Sequence, residues 1–516
     1  VLAAALAPPG AHVAAVATGP GASSLEVTIH GDSGAEPLEI ELSRKNKAHK
    51  GWRAIKGEKP QAVEVAAALP AGAGGEACLR TLEIRTDFQA VKKRPRTFDA
   101  VVVIMTDTMR GDLYPYEGSR MGVQMPNMQA LAGRSTVFAQ ATAHSSYTKP
   151  SVGTILTGLY PEQHGGLARK APISDDVSLV SEILEKAGVR TVSFLSNFFF
   201  NPSFGMRRGW TETHFIDPWQ AALDDRIVIE DFEKWCQGGV PEGPLFVYVH
   251  LMGAHAPYSP PDRFRKAFLE GRSLSSRLSP RHTAQLIKDL TSGKESRLSN
   301  RERSQLEALY RADAAYHDEV LGRLLEAMEA SGLLERALLI YTSDHGEEFY
   351  EHGRVGHGTG LWHEQVHVPL VVHAPGQKSS ITSTALVGHV DVAPTILEAL
   401  GASVPENLPG RNLIDLIDPS GPESRPLILE HWTGRWGIQL GPWKLQRRPA
   451  DERLSWSLES EEDELEPGSL PVLHLLLRKE LAWSYLDLGA AADEEPDLEL
   501  PRELTDQLEK LGYIVK

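Results

Sequence analysis

Ala100-Val101-Val102-Val103-Ile104-Met105 is an unbroken apolar run that ends in Thr106-Asp107-Thr108-Met109-Arg110-Gly111-Asp112. A strand with one wet face alternates apolar and polar residues, so a run without alternation reads as a strand buried on both faces of a parallel sheet. Residues 245–249, 338–341 and 370–372 read the same way, and helical stretches lie between the runs at 179–187, 303–329 and 392–400. Strands alternating with helices predict an α/β sheet carrying helices on both faces. In such sheets ligands bind beyond the carboxyl ends of the strands, so chemistry is expected just after these four runs.

Upstream, the texture differs. Leu25, Val27 and Ile29 alternate with polar residues, as do Leu38, Ile40 and Leu42, then Val63 and Val65, then Leu82 and Ile84. This is the period of half-buried β-strands, with Gly- and Pro-bearing breaks between, and a small sandwich is the natural way to cover their apolar faces. Lys92-Lys93-Arg94-Pro95-Arg96 reads as a solvated linker rather than a nucleic-acid contact. The expected organisation is an N-terminal segment over 1–23, a β-sandwich-like domain over 24–90, a linker over 91–97, a catalytic domain over 98–426 and a C-terminal subdomain over 427–516. The Ala-, Gly- and Pro-rich opening, without a Met, reads either as the remnant of a removed leader or as a mere boundary.

The chain has 516 residues, 41% of them hydrophobic, enough for one large enzyme domain with additions. A net charge of −16 argues against nucleic acid and anionic membrane as partners but not against a small anion in a local positive pocket. No run approaches the roughly 18 apolar residues that span a bilayer. The two cysteines, Cys78 and Cys236, form neither a zinc-finger spacing nor a disulfide framework.

Three stretches bear candidate chemistry. Asp107 follows the first run and Asp344-His345 the third, so carboxylates stand at strand ends where rigid elements would hold a metal. A single Asp there is more often a helix cap or turn former than a ligand. The adjacent Asp344 and His345 need a turn to point at one centre, and Gly346 would supply the freedom for it. The third stretch runs Ser145-Ser146-Tyr147-Thr148-Lys149-Pro150-Ser151-Val152-Gly153-Thr154-Ile155-Leu156-Thr157-Gly158 and reads as a loop, then a short helix ended by Gly158. A hydroxyl at that entry is ordinarily a cap. The same place suits a nucleophile, because free N–H groups and the helix dipole attract an anion there.

From Asp99 to Leu413 the chain resembles the sulfatase-like hydrolases of the alkaline-phosphatase superfamily. The resemblance rests on Asp107-Thr108-Met109-Arg110-Gly111-Asp112, Pro126-Asn127-Met128, Thr148-Lys149-Pro150-Ser151 with Thr157-Gly158, and His255-Ala256-Pro257. It continues through Ser343-Asp344-His345-Gly346-Glu347, Gly356-His357-Gly358, Val368-Pro369 with Pro375-Gly376, and His389-Val390-Asp391 with Pro394-Thr395. It implies a sulfatase-like α/β sandwich with a central, mostly parallel sheet. Gly441-Pro442-Trp443-Lys444-Leu445, Tyr485-Leu486-Asp487-Leu488 and a last helix ending near Tyr513 resemble the family's small antiparallel C-terminal subdomain. The acidic residues 459–466 read as a solvated insertion.

Residue by residue, the resemblance makes Asp107, Asp344 and His345 metal ligands and Thr148 the nucleophile, itself in contact with the metal. It gives His255 the leaving group or substrate and His357 the non-bridging oxygens, with Lys149 a further anion contact or a solvated side chain. One divalent ion is expected, Mn, Zn or Mg ahead of Ca, because two carboxylates, a hydroxyl and an imidazole offer too few oxygens for calcium. Asp313 and His317, one turn apart, read as a surface or core-edge pair rather than a second metal site. His250, His352, His363 and His389 are open to supporting or plain structural roles, and 347–352 reads as an acidic solvated loop.

One departure bears on the reaction. Formylglycine sulfatases start this motif with Cys or Ser and follow it with x-Pro-Ser-Arg, whereas this chain has Thr148 and Val152. That conversion does not accept threonine, and threonine nucleophiles in the superfamily accompany phosphoryl transfer. The expected activity is hydrolysis of phosphate esters ahead of sulfate esters, on a small or carbohydrate- or lipid-linked anionic substrate. The rivals are a silent binding protein that kept the fold, and a transferase that passes the group to a sugar or lipid. Relatives suggest an extracytoplasmic location, periplasmic or secreted.

Overall fold

The computed structural model describes residues 96–114, 121–216, 225–291, 297–417, 425–440 and 443–447, together with the backbone of strands between 3 and 86 and between 452 and 464. The chain divides into two compact units, the first holding the strands before Lys92 and the second holding those after it. In the first unit, β1 (Ala3–Ala7), β6 (Gln61–Ala68), β3 (Ser24–Gly31) and β4 (Gly34–Glu41) form one antiparallel sheet. A second joins β5 (His49–Ala54), β2 (Ala11–Thr18) and β7 (Cys78–Thr86). The alternating runs of the sequence lie on β3, β4, β6 and β7, while β1 and β2 fall within the stretch set apart as an N-terminal segment. Their Ala and Val content gives no amphipathic alternation to mark them as strands. Most of the basic linker lies outside the described residues.

The second unit is built on an eight-stranded sheet in the order β11-β10-β12-β8-β13-β16-β9-β17. The ranges are β8 (Ala100–Thr106), β9 (Thr136–Thr142), β10 (Arg190–Leu195), β11 (Glu212–Phe215), β12 (Leu245–Leu251), β13 (Ala337–Ser343), β16 (Leu370–His373) and β17 (Ile381–Gly388). β8 is central and wholly buried, and its alternate residues feed two separate cores. Ala100, Val102 and Ile104 join the core on one face, with Tyr310, Leu321 and Leu324 of the long helix Asn300–Ala330. Val101, Val103 and Met105 join the other, with Ile155 and Leu156 of the helix Thr148–Thr157 and Ile396 of Val392–Ala399. Both faces are covered, so polar alternation has no place in this strand.

β11, β10, β12, β8 and β13 are mutually parallel and deliver their carboxyl ends to one edge. β16 is the exception. It pairs antiparallel with both β13 and β9, so the residues after the fourth apolar run leave at the opposite edge, away from the chemistry expected there. An apolar run reports burial on both faces but not direction. The helix Asn300–Ala330 begins in a capping box, Ser299 Oγ accepting from Glu302 N at 3.3 Å and Glu302 Oε2 accepting from Ser299 N at 3.0 Å. The short strands β14 (Glu348–Phe349) and β15 (Val355–Gly356) pair as a two-stranded ribbon close after β13.

A five-stranded antiparallel sheet follows, from β18 (Leu427–His431), β19 (Arg435–Leu440) and β20 (Trp443–Arg447) to β21 (Glu452–Leu458) and β22 (Glu461–Glu464). Of the acidic segment, Glu461–Glu464 forms β22, which pairs antiparallel with β21 at the edge of this sheet, and the rest lies outside the described residues. Tyr485-Leu486-Asp487-Leu488 and the expected closing helix lie outside the described residues. No helix among the described residues is long and apolar enough to cross a membrane.

Candidate active site

Four parallel strands deliver five polar groups to the same edge. Asp107 follows β8, Asp344 and His345 follow β13, His255 lies on the turn after β12, and Asn197 follows β10. The turns are held by specific contacts. Thr108 adopts the left-handed φ of 58°, with its N–H on Asp344 Oδ1 at 3.1 Å and its carbonyl accepting from Tyr310 Oη at 2.7 Å. A non-glycine residue held in that region by its surroundings is a common feature of functional turns. A Cβ on Gly253 would come 2.8 Å from the Asp107 carbonyl, so the β12 exit passes against the β8 turn only as glycine. Gly346 serves differently from expectation. It is absent from the positive-φ residues, and what it supplies is room, because a Cβ there would meet the Glu364 carbonyl at 2.1 Å.

Asp107, Asp344 and His345 are wholly buried and bring one ligand atom each within 4.8 Å of one another. Asp344 Oδ1 accepts from two backbone N–H groups, while Asp344 Oδ2 and Asp107 Oδ1 have no hydrogen-bond donor. The His345 tautomer follows from its partner: Nδ1 meets the Gly346 carbonyl at 2.9 Å and so carries the proton, leaving the lone pair on Nε2. That nitrogen lies 3.3 Å from Asp344 Oδ2 and 3.8 Å from Asp107 Oδ1. Lone pairs facing one another in a dry site call for a cation between them. The titration agrees. Burial first, then the charges of Asp344, Glu347 and Asp225, holds the Asp107 carboxyl well above the ordinary range, and burial carries Asp344 up to about 7. Burial also keeps His345 neutral. The donor set fits a single divalent ion bound by carboxylate and imidazole.

Thr148 is the first residue of the helix Thr148–Thr157, and its Oγ lies 3.3 Å from His345 Nε2. The capping alternative fails here: the residue before the helix is Tyr147, and no side chain caps that end. Gly158, at φ 73°, closes the helix as expected, with its N–H on the Thr154 carbonyl. The His357 ring stands 4.4 Å from that of His345 and 5.2 Å from that of His255. His357 Nδ1 meets Glu347 Oε1 at 3.1 Å. His255 Nδ1 donates to the Ala256 carbonyl at 2.6 Å, which makes Nε2 its basic nitrogen. Burial, then the charge of His357, pushes His255 down to about 3, so by itself the ring holds no second proton to give.

Lys149 goes elsewhere. It is buried, and its ammonium donates to the carbonyls of Ala168 and Ala171, so the anion contact expected of it has no geometric support. Glu347 and Glu348 are buried rather than solvated, and only Glu351 of the acidic loop is exposed. Asp313 and His317 are buried too, and they brace the His255 turn. Asp313 Oδ2 accepts from Ser259 N at 3.3 Å, and His317 stands 3.5 Å from Asp225, whose carboxylate takes the N–H groups of Met252 and Gly253. Sequence reasoning missed Asn197, which donates to Asp107 Oδ2 at 3.1 Å, and Asp225. Asn197 follows a strand that the sequence reading did not identify. The usable signal was Thr191-Val192-Ser193-Phe194-Leu195 ending in Ser196-Asn197.

The protein-family model described as Sulfatase matches residues 99–402. Arylsulfatase K of Mus musculus is 24% identical over 404 residues, which is 68% of this chain and 72% of that protein. The ulvan-active sulfatase of Formosa agariphila is 25% identical over 354 residues, 63% of this chain and 66% of that one. Among solved structures, the phosphonate monoester hydrolase of Agrobacterium radiobacter superposes with a TM-score of 0.62 at 19% identity, covering 75% of this chain and 96% of that one. A protein solved with its substrate D-glucosamine-2-N,6-O-disulfate gives 0.61 at 18% identity, covering 79% and 100%. At these identities the superpositions establish the shared fold.

Proposed function

The chain belongs to the sulfatase family, and from that premise we propose that it hydrolyses an anionic ester through Thr148, phosphate esters ahead of sulfate esters. The observation that carries this reading is the Thr148 hydroxyl at a helix N-terminus, 3.3 Å from His345 Nε2 and beside two carboxylate oxygens without donors. Asp107, Asp344, His345 and Thr148 would hold one divalent ion, Mn, Zn or Mg ahead of Ca. Such an ion, when bound, lowers the hydroxyl pKa and polarises the ester oxygen.

The residues of the chain supply the rest. The helix N-terminus favours the negative charge of the transferred group next to Thr148. Asn197 and the backbone N–H groups on Asp344 fix the two carboxylates, so their remaining oxygens face the centre. Glu347 orients His357 toward the cleft. The step releases the Thr148 hydroxyl proton to solvent, forms a bond from Oγ to phosphorus, breaks the bond from phosphorus to the leaving oxygen, and gives that oxygen a proton. His255 supplies it once an anionic substrate beside the ring has raised its pKa from the low value that burial gives it. Water attack on phosphorus then releases phosphate and restores the threonine.

Threonine chemistry supports phosphate, because a sulfated threonine lacks the carbonyl-forming exit open to a hydrated aldehyde. A sulfate reading has its own support in the names of the relatives, an arylsulfatase and an ulvan-active sulfatase. Turnover of nitrophenyl phosphate, a bis-nitrophenyl phosphodiester and nitrophenyl sulfate, with Mn, Zn, Mg and Ca in turn, separates the two. Metal-dependent phosphoester release that disappears in Thr148→Ala is the expected result. Sulfate release that survives Thr148→Ala overturns the nucleophile, and silence on every ester with metal bound favours a binding protein that kept the fold. An extracytoplasmic location belongs to the same proposal.

A further inference from the structure

Resting on the ester-hydrolase reading above, we propose that Arg169, laid over Trp432 beside Tyr147, is a subsite for a second oxyanion substituent on a carbohydrate substrate. The Arg169 guanidinium carbon lies 4.0 Å from the centre of the Trp432 ring and 5.7 Å from that of Tyr147. Tyr147 immediately precedes the nucleophile position, and its ring stands 6.4 Å from His357. Tyr147 thus neighbours both His357 and Arg169. Trp432 arrives from the turn between β18 and β19. That turn is fastened to the His357 loop by His431 Nε2 on the Gly358 carbonyl at 2.9 Å and by Arg435 on the Thr359 carbonyl at 2.6 Å.

What sets Arg169 apart is what it lacks. Among the described residues no carboxylate pairs with it, and its Nε and the Trp432 Nε1 are both buried with no hydrogen-bond partner. Arg110, by contrast, has Asp112 and Glu351, and Arg208 has four backbone carbonyls and Asp175. Buried donors without acceptors are costly and uncommon, so two in contact mark a place where a ligand brings the acceptors. Arg435, Arg169 and Arg354 all bear on His431, which burial first and then their charges push down to about 4.

The chemistry of the ligand follows. A planar guanidinium takes two oxygens of a carboxylate, sulfate or phosphate side by side, and its stacking on an indole pre-orders the fork. The Trp432 Nε1 adds a donor for a sugar hydroxyl next to that anion. The substrate class is therefore a sugar carrying two oxyanion groups, one at Thr148 and one at Arg169.

The test is calorimetric binding to the metal-loaded full chain in a Thr148→Ala background, which removes turnover, with D-glucosamine-2-N,6-O-disulfate and D-glucosamine-6-O-sulfate as probes. The disulfate is expected to bind about tenfold or more tightly than the monosulfate. Arg169→Gln, which keeps the stack and removes the charge, abolishes that difference and leaves monosulfate affinity within about twofold; Arg169→Lys restores part of it. A disulfate preference that persists in Arg169→Gln overturns the subsite, as does equal binding of the two sugars before Arg169 is changed. Absence of binding by both sugars overturns the subsite for this substrate class, while the ester reading stands or falls separately on the nitrophenyl phosphate turnover.

Discussion

Two clusters in this molecule contain the same ingredients, two carboxylates and an imidazole, and Asp344-His345 of one comes just before Glu348 of the other in sequence. Asp107, Asp344 and His345 form one; Glu348, His352 and Glu364 form the other. In the second, Glu348 Oε1 accepts from the N–H groups of His352 and Arg354, and Oε2 accepts from Thr359 Oγ and Gln365 Nε2. His352 meets Glu364 at 2.9 Å and stacks on Trp362 at 3.7 Å. Every Glu348 oxygen is satisfied, so that cluster needs no ion and instead ties the ribbon β14–β15 to the segment around Gln365. The first cluster leaves two carboxylate oxygens bare. Ligand type and proximity do not distinguish a metal centre from a brace; unspent lone pairs do.

The sharpest way to break that contrast is Asp344→Asn. It is expected to abolish tight metal binding and to lower ester turnover by at least about 10³-fold, because an amide presents an N–H where a lone pair is needed. Calorimetric metal titration and steady-state kinetics check this, and a variant that still binds metal tightly would remove Asp344 from the ligand set. Asn197→Ala is expected to cost about 10- to 100-fold in metal affinity or turnover, the usual effect of losing a group that orients a ligand. Wild-type behaviour there would make the Asn197 contact incidental.

The pH dependence sharpens the same comparison. Burial carries the Asp344 carboxyl up to about 7, against an ordinary unfolded value of about 3.9. Below about 7 an entering ion must displace that proton, so metal affinity is expected to rise with pH by up to about tenfold per unit and then level off. The metal-free protein shows the opposite trend. Between the unfolded and folded values the folded state holds a proton the unfolded chain has lost, so its stability falls as pH rises toward 7. Metal titrations at pH 5.5, 6.5 and 7.5 and metal-free melting curves test both signs. The smallest expected effect on metal is that of Glu348→Gln. It leaves metal affinity within about twofold and lowers stability by about 1–3 kcal/mol, because an amide group replaces one acceptor oxygen of a buried network. A large loss of metal affinity in that variant would make the second cluster part of the centre.

Much of the site was legible one residue at a time. Asp107, Asp344 and His345 stand at strand ends that continuous apolar runs announce, and Thr148 stands at a helix entry that Pro150 and Gly158 bracket. Lys149 was misleading because a lysine beside a nucleophile position suggests an anion contact, and only folding shows its ammonium on two carbonyls. Glu347 and Glu348 looked like a solvated acidic loop because charge density in sequence carries no record of the donors that long-range contacts bring. Asn197 was invisible for the same reason: its role is fixed by β10 lying two strands from β8, which no local pattern encodes.

The sequence by itself determined the α/β alternation, the buried central strand and the residue types at the strand ends, because periodicity, capping and turn chemistry are local. It also determined that position 148 is a threonine and position 152 a valine, from which the expectation of phosphate ahead of sulfate esters comes. Only the tertiary structure decided that β16 runs against its neighbours, which carboxylate oxygens remain without donors, and that Arg169 meets Trp432 instead of an acid. Those outcomes depend on pairing between segments tens to hundreds of residues apart, where burial and the hydrogen-bond balance are set jointly by the whole fold.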